Sequence, residues 1–155
     1  MTCSCAGIIA AQNIKAFARE TGEPGGSMAD WTGEHLSEGY WSADSILLSA
    51  AKHLKKPEEI VSVATGFGGG IQQKDLCGYM TGGVMAIGLF TGVTRGDDKA
   101  GREKCQRLTK EYADWWADNY PLHCKDMPQP CDFKGMGEAA SRFLQKVFER
   151  ETGKV

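Results

Sequence analysis

The most constraining feature of this chain is a glycine-rich segment, residues 76–94, that contains no charged residue. Its 19 residues approach the length of a membrane span, but five of them are glycines and three are threonines. Gly78 and Gly82, and again Gly88 and Gly92, are spaced four apart, which on one helix leaves two bare patches where neighbouring backbones can approach. The segment therefore predicts a buried helix over 76–90, with no membrane span, at the centre of a bundle.

Most of the remaining chain carries apolar residues at three- and four-residue steps, the pattern of amphipathic helices. The spacing predicts helices over 6–21, 34–55, 99–120 and 135–151, a short helix beginning at Pro57, and irregular stretches over 23–33 and 122–137. Alternating strand patterns are missing from the sequence. We therefore expect an all-α fold, a bundle of about five or six helices around the central glycine-rich helix. One helical domain would span 1–155, with an N-terminal helix and loop over 1–33 and a cysteine-containing core over 34–155.

Composition excludes several classes of partner. Eighteen Lys and Arg residues against 20 Asp and Glu residues give a net charge of −2, and no basic block marks a nucleic-acid or anionic-membrane surface. The amino terminus lacks the basic and apolar regions of a signal peptide, so a cytoplasmic location is expected. Four tryptophans and the glycine faces give more apolar surface than a small bundle readily buries, which predicts a homodimer.

Four glycines among residues 66–70 predict a sharp turn, because so many glycines are costly inside a helix or strand. The turn lacks both a GK[ST] ending and the G-x-G-x-x-G spacing. Tight turning with close backbone approach is therefore favoured over nucleotide binding.

The six cysteines of a chain expected in a reducing compartment are candidates for metal ligation, redox chemistry or burial. Asp75 would cap the central helix and Cys77 would lie in its first turn, where free amides and the helix dipole favour a thiolate. The competing interpretation of Cys77 is a small buried apolar residue.

The other cysteines carry weaker signals. Cys124 and Cys131 are seven apart in a proline-rich loop, which can aim thiols at a shared point but shows no C-x-x-C motif. Cys105 shares a helix face with core residues, so a packed thiol is favoured there. Cys3 and Cys5 could ligate a metal or belong to a frayed terminus.

The order of these features resembles the C_GCAxxG_C_C family of redox-active proteins. The resemblance covers about 39–148 and rests on the run 42–47 (SADSIL), the turn 64–70 (ATGFGGG), the element 77–89 (CGYMTGGVMAIGL), and the downstream Cys124 and Cys131.

This resemblance implies an all-helical protein with four functional cysteines, and an iron–sulfur centre is suspected in a related domain of split-Soret cytochromes. By motif position Cys77, Cys124 and Cys131 match three of the four cysteines, whereas Ser42 stands where the first should be. A serine hydroxyl is a much poorer ligand for soft metals than a thiol. Tyr79 replaces the family's usual alanine, and no C-x-x-C-H haem-attachment motif is present.

Three functions follow from the residues and the resemblance together, and whether the protein is an enzyme stays open. The first is electron transfer to an unidentified redox partner through a metal or iron–sulfur site, with Cys77, Cys124 and Cys131 as ligands. Ser42, Cys105, an N-terminal cysteine or a non-protein ligand would fill the fourth position. The second is metal-free thiol–disulfide chemistry, in which Cys77 attacks and Cys124 or Cys131 resolves. The third is a non-catalytic binding or assembly module with buried cysteines. We predict that the sulfurs of Cys77, Cys124 and Cys131 converge, with Ser42 facing the same point.

Overall fold

The computed structural model describes residues 26–153, which form five α-helices joined by short turns. The helices are α1 (Met28–Ser37), α2 (Ser42–His53), α3 (Gly78–Thr91), α4 (Lys99–Asn119) and α5 (Phe133–Thr152). Short 3-10 segments lie at Glu58–Val63, Thr65–Phe67 and Cys124–Asp126, and a π turn lies at Gly70–Lys74. Across 26–153 the only β pairing is an isolated bridge between Leu76 and His123, which confirms the predicted all-α fold. The helix predicted over 6–21 lies outside the described residues.

The glycine-rich helix α3 is central, as predicted, and packs against α2, α4 and α5. Its first bare patch is confirmed, because a Cβ added at Gly82 would lie 2.8–2.9 Å from the backbone of Ala43 in α2. The second predicted patch meets no partner among residues 26–153. Within that range neither Gly88 nor Gly92 has a neighbour within 4 Å of where a Cβ would stand, and Gly92, at φ 66°, ends the helix.

Membrane crossing finds no support in the described helices. None of them, within residues 26–153, combines the length and the apolar character that a membrane span needs.

The loop predicted over 23–33 is wrong in its second half, where α1 begins. Ser27 caps this helix: its side chain accepts a hydrogen bond from the amide of Asp30, and the Asp30 carboxylate accepts one from the amide of Ser27. The Met28 amide also donates to Oε1 of Gln145 in α5, at 2.9 Å. Met28 and Ala29 are buried, so tertiary packing and a capping box outweigh the nearby glycines.

The single helix predicted over 34–55 is also wrong, because a turn separates α1 from α2. Gly39 adopts a φ of 96°, and Trp41 is extended at the position before α2. This turn places Ser42 at the first position of α2, in which Ala43, Ile46 and Leu47 are buried. Ser42 thereby begins a helix next to the start of α3.

Helices α4 and α5 match the predicted spans within two residues at each end. Trp116 of α4 is fully buried, and its Nε1 donates to the carbonyl of Pro121 at 3.0 Å. Trp115 stacks on Phe143 of α5 with ring centroids 4.6 Å apart. Both tryptophans therefore pack in or against the core of the bundle.

Candidate functional site

Two short segments, 75–77 and 122–124, run antiparallel to each other, and we call them together the cysteine ribbon. The amide of Cys77 donates to the carbonyl of Leu122 at 3.0 Å, and the amide of Cys124 donates to the carbonyl of Asp75 at 2.7 Å. Leu76 and His123 form the bridge between these two bonds. The ribbon therefore anchors both cysteines through their own backbone, although 46 residues of sequence separate them.

A left-handed turn leads into the cysteine ribbon and explains the glycines before it. Gly69 and Gly70 have φ near 63°, and Ile71, Gln72 and Lys74 also have positive φ. A Cβ at Gly70 would lie 2.7 Å from the amide nitrogen of Asp75 and 3.1 Å from the Cβ of Cys124. Only glycine fits this backbone conformation and this close approach together, so the predicted sharp turn is confirmed.

The ribbon brings the side chains of Cys77 and Cys124 close enough for each thiol to shift the pKa of the other. Both are free thiols in this structure. Cys77 is 1% exposed, whereas Cys124 is only partly buried. The hydrogen bond from Cys77 lowers the pKa of Cys124 to about 7, and the amide of Gly78 acts in the same direction against the opposing effect of burial.

Cys77 was expected to be the thiolate, and its pKa instead moves the other way. Its hydrogen bond to Cys124 and its burial raise the pKa of the Cys77 thiol, and they outweigh the amides of Tyr79 and Met80, which lower it. Cys77 lies just before α3, which begins at Gly78 and not at the predicted residue 76. The start of α3 thus favours a thiolate as the sequence suggested, but the cysteine whose pKa is lowered there is Cys124, from another part of the chain.

The Cys131 thiol donates to the sulfur of Met136 at 3.4 Å, at the start of α5. Two residues later, the carbonyl of Phe133 accepts a hydrogen bond from the Tyr79 hydroxyl at 2.7 Å. Burial is the main cause that raises the pKa of Tyr79, and the charges of Cys77 and Cys131 add to it. Tyr79 therefore links the segment of Cys131 to the residues that follow Cys77.

Ser42 of α2 lies against Gly78, the first residue after the segment 75–77 of the cysteine ribbon. Its hydroxyl occupies the space directly over the Cα of Gly78, and the Ser42 Cβ lies 3.2 Å from where a Gly78 Cβ would stand. Gly78 follows Cys77 and directs its amide at Cys124. Ser42 is therefore next to Gly78, the residue that follows Cys77 in the sequence and interacts with Cys124 through its amide.

Cys105 lies at the other end of α4 and packs partly against the core, as predicted. Two residues of the same helix approach Tyr79: the Tyr112 hydroxyl donates to the Tyr79 carbonyl at 2.8 Å, and the ring centroid of Trp116 lies 6.4 Å from that of Tyr79. Seven to eleven residues along a helix correspond to roughly 10–16 Å of axial rise. Cys105 is thus separated along α4 from the residues that contact Tyr79. Cys3 and Cys5 lie outside the described residues.

Asp75 and His123 form a side-chain pair that the sequence analysis did not predict. Nδ1 of His123 lies 2.6 Å from Oδ1 of Asp75, and because a carboxylate only accepts, the ring nitrogen carries the proton of this bond. Asp75 was expected to cap the central helix, and its carboxylate contacts the opposite segment instead. No sequence signal could pair two residues 48 positions apart without knowledge of the ribbon.

A metal centre requires more convergent donors than the described residues provide. Across 26–153, no three His, Cys, Asp or Glu side chains come together as a group that could hold a metal ion. Cys77 and Cys124 supply two adjacent sulfurs, while the Cys131 thiol is directed at Met136. The described donor set therefore does not fit a metal or iron–sulfur cluster held by all three cysteines.

Comparison with known proteins gives one match. The model of the family described as "Putative redox-active protein (C_GCAxxG_C_C)" matches residues 40–149, more than half of the chain. No curated protein and no solved structure matches the chain. The match covers α2 to most of α5 and includes the whole cysteine ribbon.

Proposed function

The chain belongs to the C_GCAxxG_C_C family, and we propose that it is a thiol–disulfide redox protein whose couple is Cys77 and Cys124. Cys124 is the attacking thiolate and Cys77 is the resolving thiol. The observation that carries this proposal is the cysteine ribbon, whose backbone hydrogen bonds hold Cys77 and Cys124 as neighbours, and in which Cys77 lowers the pKa of Cys124 to about 7. A low pKa combined with partial exposure is what distinguishes a reactive cysteine from a structural one.

The reaction proceeds in two exchange steps with a partner that carries a disulfide. The Cys124 thiolate attacks one sulfur of the partner disulfide, so that a mixed disulfide forms and one partner thiolate leaves. Cys77 then loses its proton to the medium and attacks the Cys124 sulfur, which forms the Cys77–Cys124 disulfide and releases the second partner thiolate. Two electrons pass from the dithiol to the partner, and the reverse sequence reduces the protein.

Burial divides the two roles between the cysteines. A partner can reach the partly exposed Cys124, whereas Cys77, at 1% exposure, is shielded from other molecules. A shielded thiol with a raised pKa is a poor nucleophile toward solvent-borne disulfides. It is nevertheless held next to Cys124, where proximity favours the second step.

Electron transfer through a metal or iron–sulfur site of Cys77, Cys124 and Cys131 stays a separate prediction. It requires the Cys131 thiol to leave Met136 and a further ligand to join, from Ser42 or from outside residues 26–153. The two functions differ in their metal content and in the number of thiols lost on oxidation.

Anaerobic purification followed by mild oxidation distinguishes these functions. We expect the protein to be colourless and free of stoichiometric iron or zinc, and we expect oxidised dithiothreitol to remove two thiols per chain with the midpoint of a two-electron couple. Visible charge-transfer absorbance with stoichiometric iron would instead support the metal site.

Single-cysteine variants assign the thiols. Cys124→Ser and Cys77→Ser should each abolish the two-thiol loss, whereas Cys105→Ser, the matched control on α4, should leave it unchanged. Retention of the two-thiol loss in Cys77→Ser would overturn the proposed couple.

A further inference from the structure

The cysteine ribbon contains a side-chain contact whose effect on the couple can be tested. The Asp75 carboxylate and the His123 ring join the two segments at 2.6 Å, each beside the bond that anchors a cysteine. Asp75 also donates its amide to the carbonyl of Gly70 at 3.0 Å and accepts the Cys124 amide through its own carbonyl. Three hydrogen bonds therefore fix Asp75 at the junction between the left-handed turn and the Cys124 segment.

The register of the ribbon gives this contact a chemical consequence. Cys77 lies opposite Leu122 and Cys124 lies opposite Asp75, so the two cysteines are diagonal neighbours. Diagonal residues of an antiparallel pair have Cα atoms about 7–8 Å apart, whereas a disulfide needs about 4.4–6.8 Å. The two segments must therefore draw together when the disulfide forms, and whatever holds them close favours that product.

Resting on the proposed couple, we infer that Asp75 and His123 are a positioning pair that holds the two halves of the cysteine ribbon together and so favours the Cys77–Cys124 disulfide. The pair is exposed, with 55% of the Asp75 side chain and 37% of the His123 side chain accessible. Exposed ion pairs add little to global stability. The role of this pair is local, because it spans the two segments that must approach each other.

The expected effect is modest, since the backbone bonds of the ribbon remain when the pair is lost. Loss of an exposed pair changes an equilibrium by up to roughly fivefold, which for a two-electron couple corresponds to about 20 mV. The disulfide should become easier to reduce, so the midpoint potential should become less negative by up to that amount.

Four variants of the full chain test the inference by equilibration in dithiothreitol redox buffers. His123→Ala removes the donor, and Asp75→Ala removes the acceptor. His123→Asn keeps an N–H near the position of Nδ1. Asp97→Ala is the matched control, because it breaks the exposed Arg95–Asp97 pair of 2.7 Å that lies outside the ribbon.

We expect His123→Ala and Asp75→Ala to shift the midpoint in the same direction, and we expect His123→Asn and Asp97→Ala to retain the wild-type value. A wild-type midpoint in His123→Ala, or a shift in His123→Asn equal to that in His123→Ala, would overturn the positioning role. If Asp75→Ala fails to fold, the two His123 variants decide the question. Absence of the Cys77–Cys124 disulfide in the wild type would refute the proposed function itself, a result distinct from an unchanged midpoint.

Discussion

Replacing Cys77 by alanine should change the reactivity of Cys124 in a way that depends on pH. The hydrogen bond from Cys77 is the largest cause of the lowered Cys124 pKa, so its loss should move that pKa from about 7 toward the ordinary 9.0. At pH 7 the thiolate fraction of Cys124 would then fall from about one half to about 1%, a loss of roughly 50-fold.

A second effect opposes this loss, because a more basic thiolate is a stronger nucleophile. With a Brønsted coefficient of about 0.45, two pKa units raise the intrinsic reactivity roughly eightfold. The thiolate fraction wins at pH 7, where Cys124 in the alanine variant should react about sixfold more slowly than in the wild type. Above pH 9 both proteins hold the thiolate, and the variant should react faster.

The assay follows the reaction of a small disulfide reagent with Cys124 between pH 6 and pH 10, with peptide mass spectrometry to separate the cysteines. Cys77→Ser is the intermediate variant, because its hydroxyl can still donate a hydrogen bond to Cys124. At pH 7 its Cys124 should react at a rate between those of the wild type and Cys77→Ala. Cys105→Ala is the control for substitution elsewhere in the bundle. Superimposable pH profiles for the wild type and Cys77→Ala would refute the assignment of Cys77 as the donor.

Three further predictions concern stability and association. In urea unfolding, Gly82→Ala should cost about 1–3 kcal/mol because its Cβ meets the Ala43 backbone. Gly88 in the same helix has no neighbour from residues 26–153 within 4 Å of its Cβ position, so Gly88→Ala should stabilise by about 0.5–1 kcal/mol. Equal effects would contradict the packing of α2 on α3. Under reducing conditions, the free energy of unfolding of the wild type minus that of the double variant Cys77→Ala/Cys124→Ala gives the stability that the two cysteines confer. This difference should rise from pH 7 to pH 9, because the pKa of Cys124 is lower in the folded chain than in the unfolded chain. The same difference should fall above pH 9. The pKa of Cys77 is raised in the folded chain, so Cys77 releases its proton in the unfolded chain and keeps it in the folded one. A continuous rise with pH would contradict this prediction. Sedimentation should show a homodimer, since Trp41, Ile71 and Leu122 are more than 40% exposed, and a monomer at micromolar concentration would count against it.

The sequence predicted the helices well where local pattern and packing agree. The spans of α4 and α5 follow from apolar residues at helical steps, and Gly82 marks a real contact between helices. The loop predicted over 23–33 was wrong where α1 begins, because a capping box and burial against α5 outweigh the nearby glycines. The single helix predicted over 34–55 was also wrong, because the left-handed Gly39 divides an apolar pattern that reads as continuous.

The sequence singled out both cysteines of the proposed couple, but it did not indicate how they are arranged. The position of Cys77 beside the start of α3 follows from local sequence, and Cys124 was identified from its loop. The direction of the pKa shifts depends on which sulfur is buried and which one donates, and these are properties of a contact across the chain. The Asp75–His123 pair depends on the register of the cysteine ribbon in the same way, so no local pattern reveals it.

Peptide mapping of the oxidised protein tests the proposed redox couple most directly. The protein, purified under reducing conditions and equilibrated with oxidised dithiothreitol, would be alkylated, digested without reduction and analysed by mass spectrometry. We predict one intrachain link between the Cys77 and Cys124 peptides, with Cys105 and Cys131 recovered as alkylated thiols. A link between Cys124 and Cys131, or full alkylation of Cys77 and Cys124 after equilibration, would contradict a redox couple formed by Cys77 and Cys124.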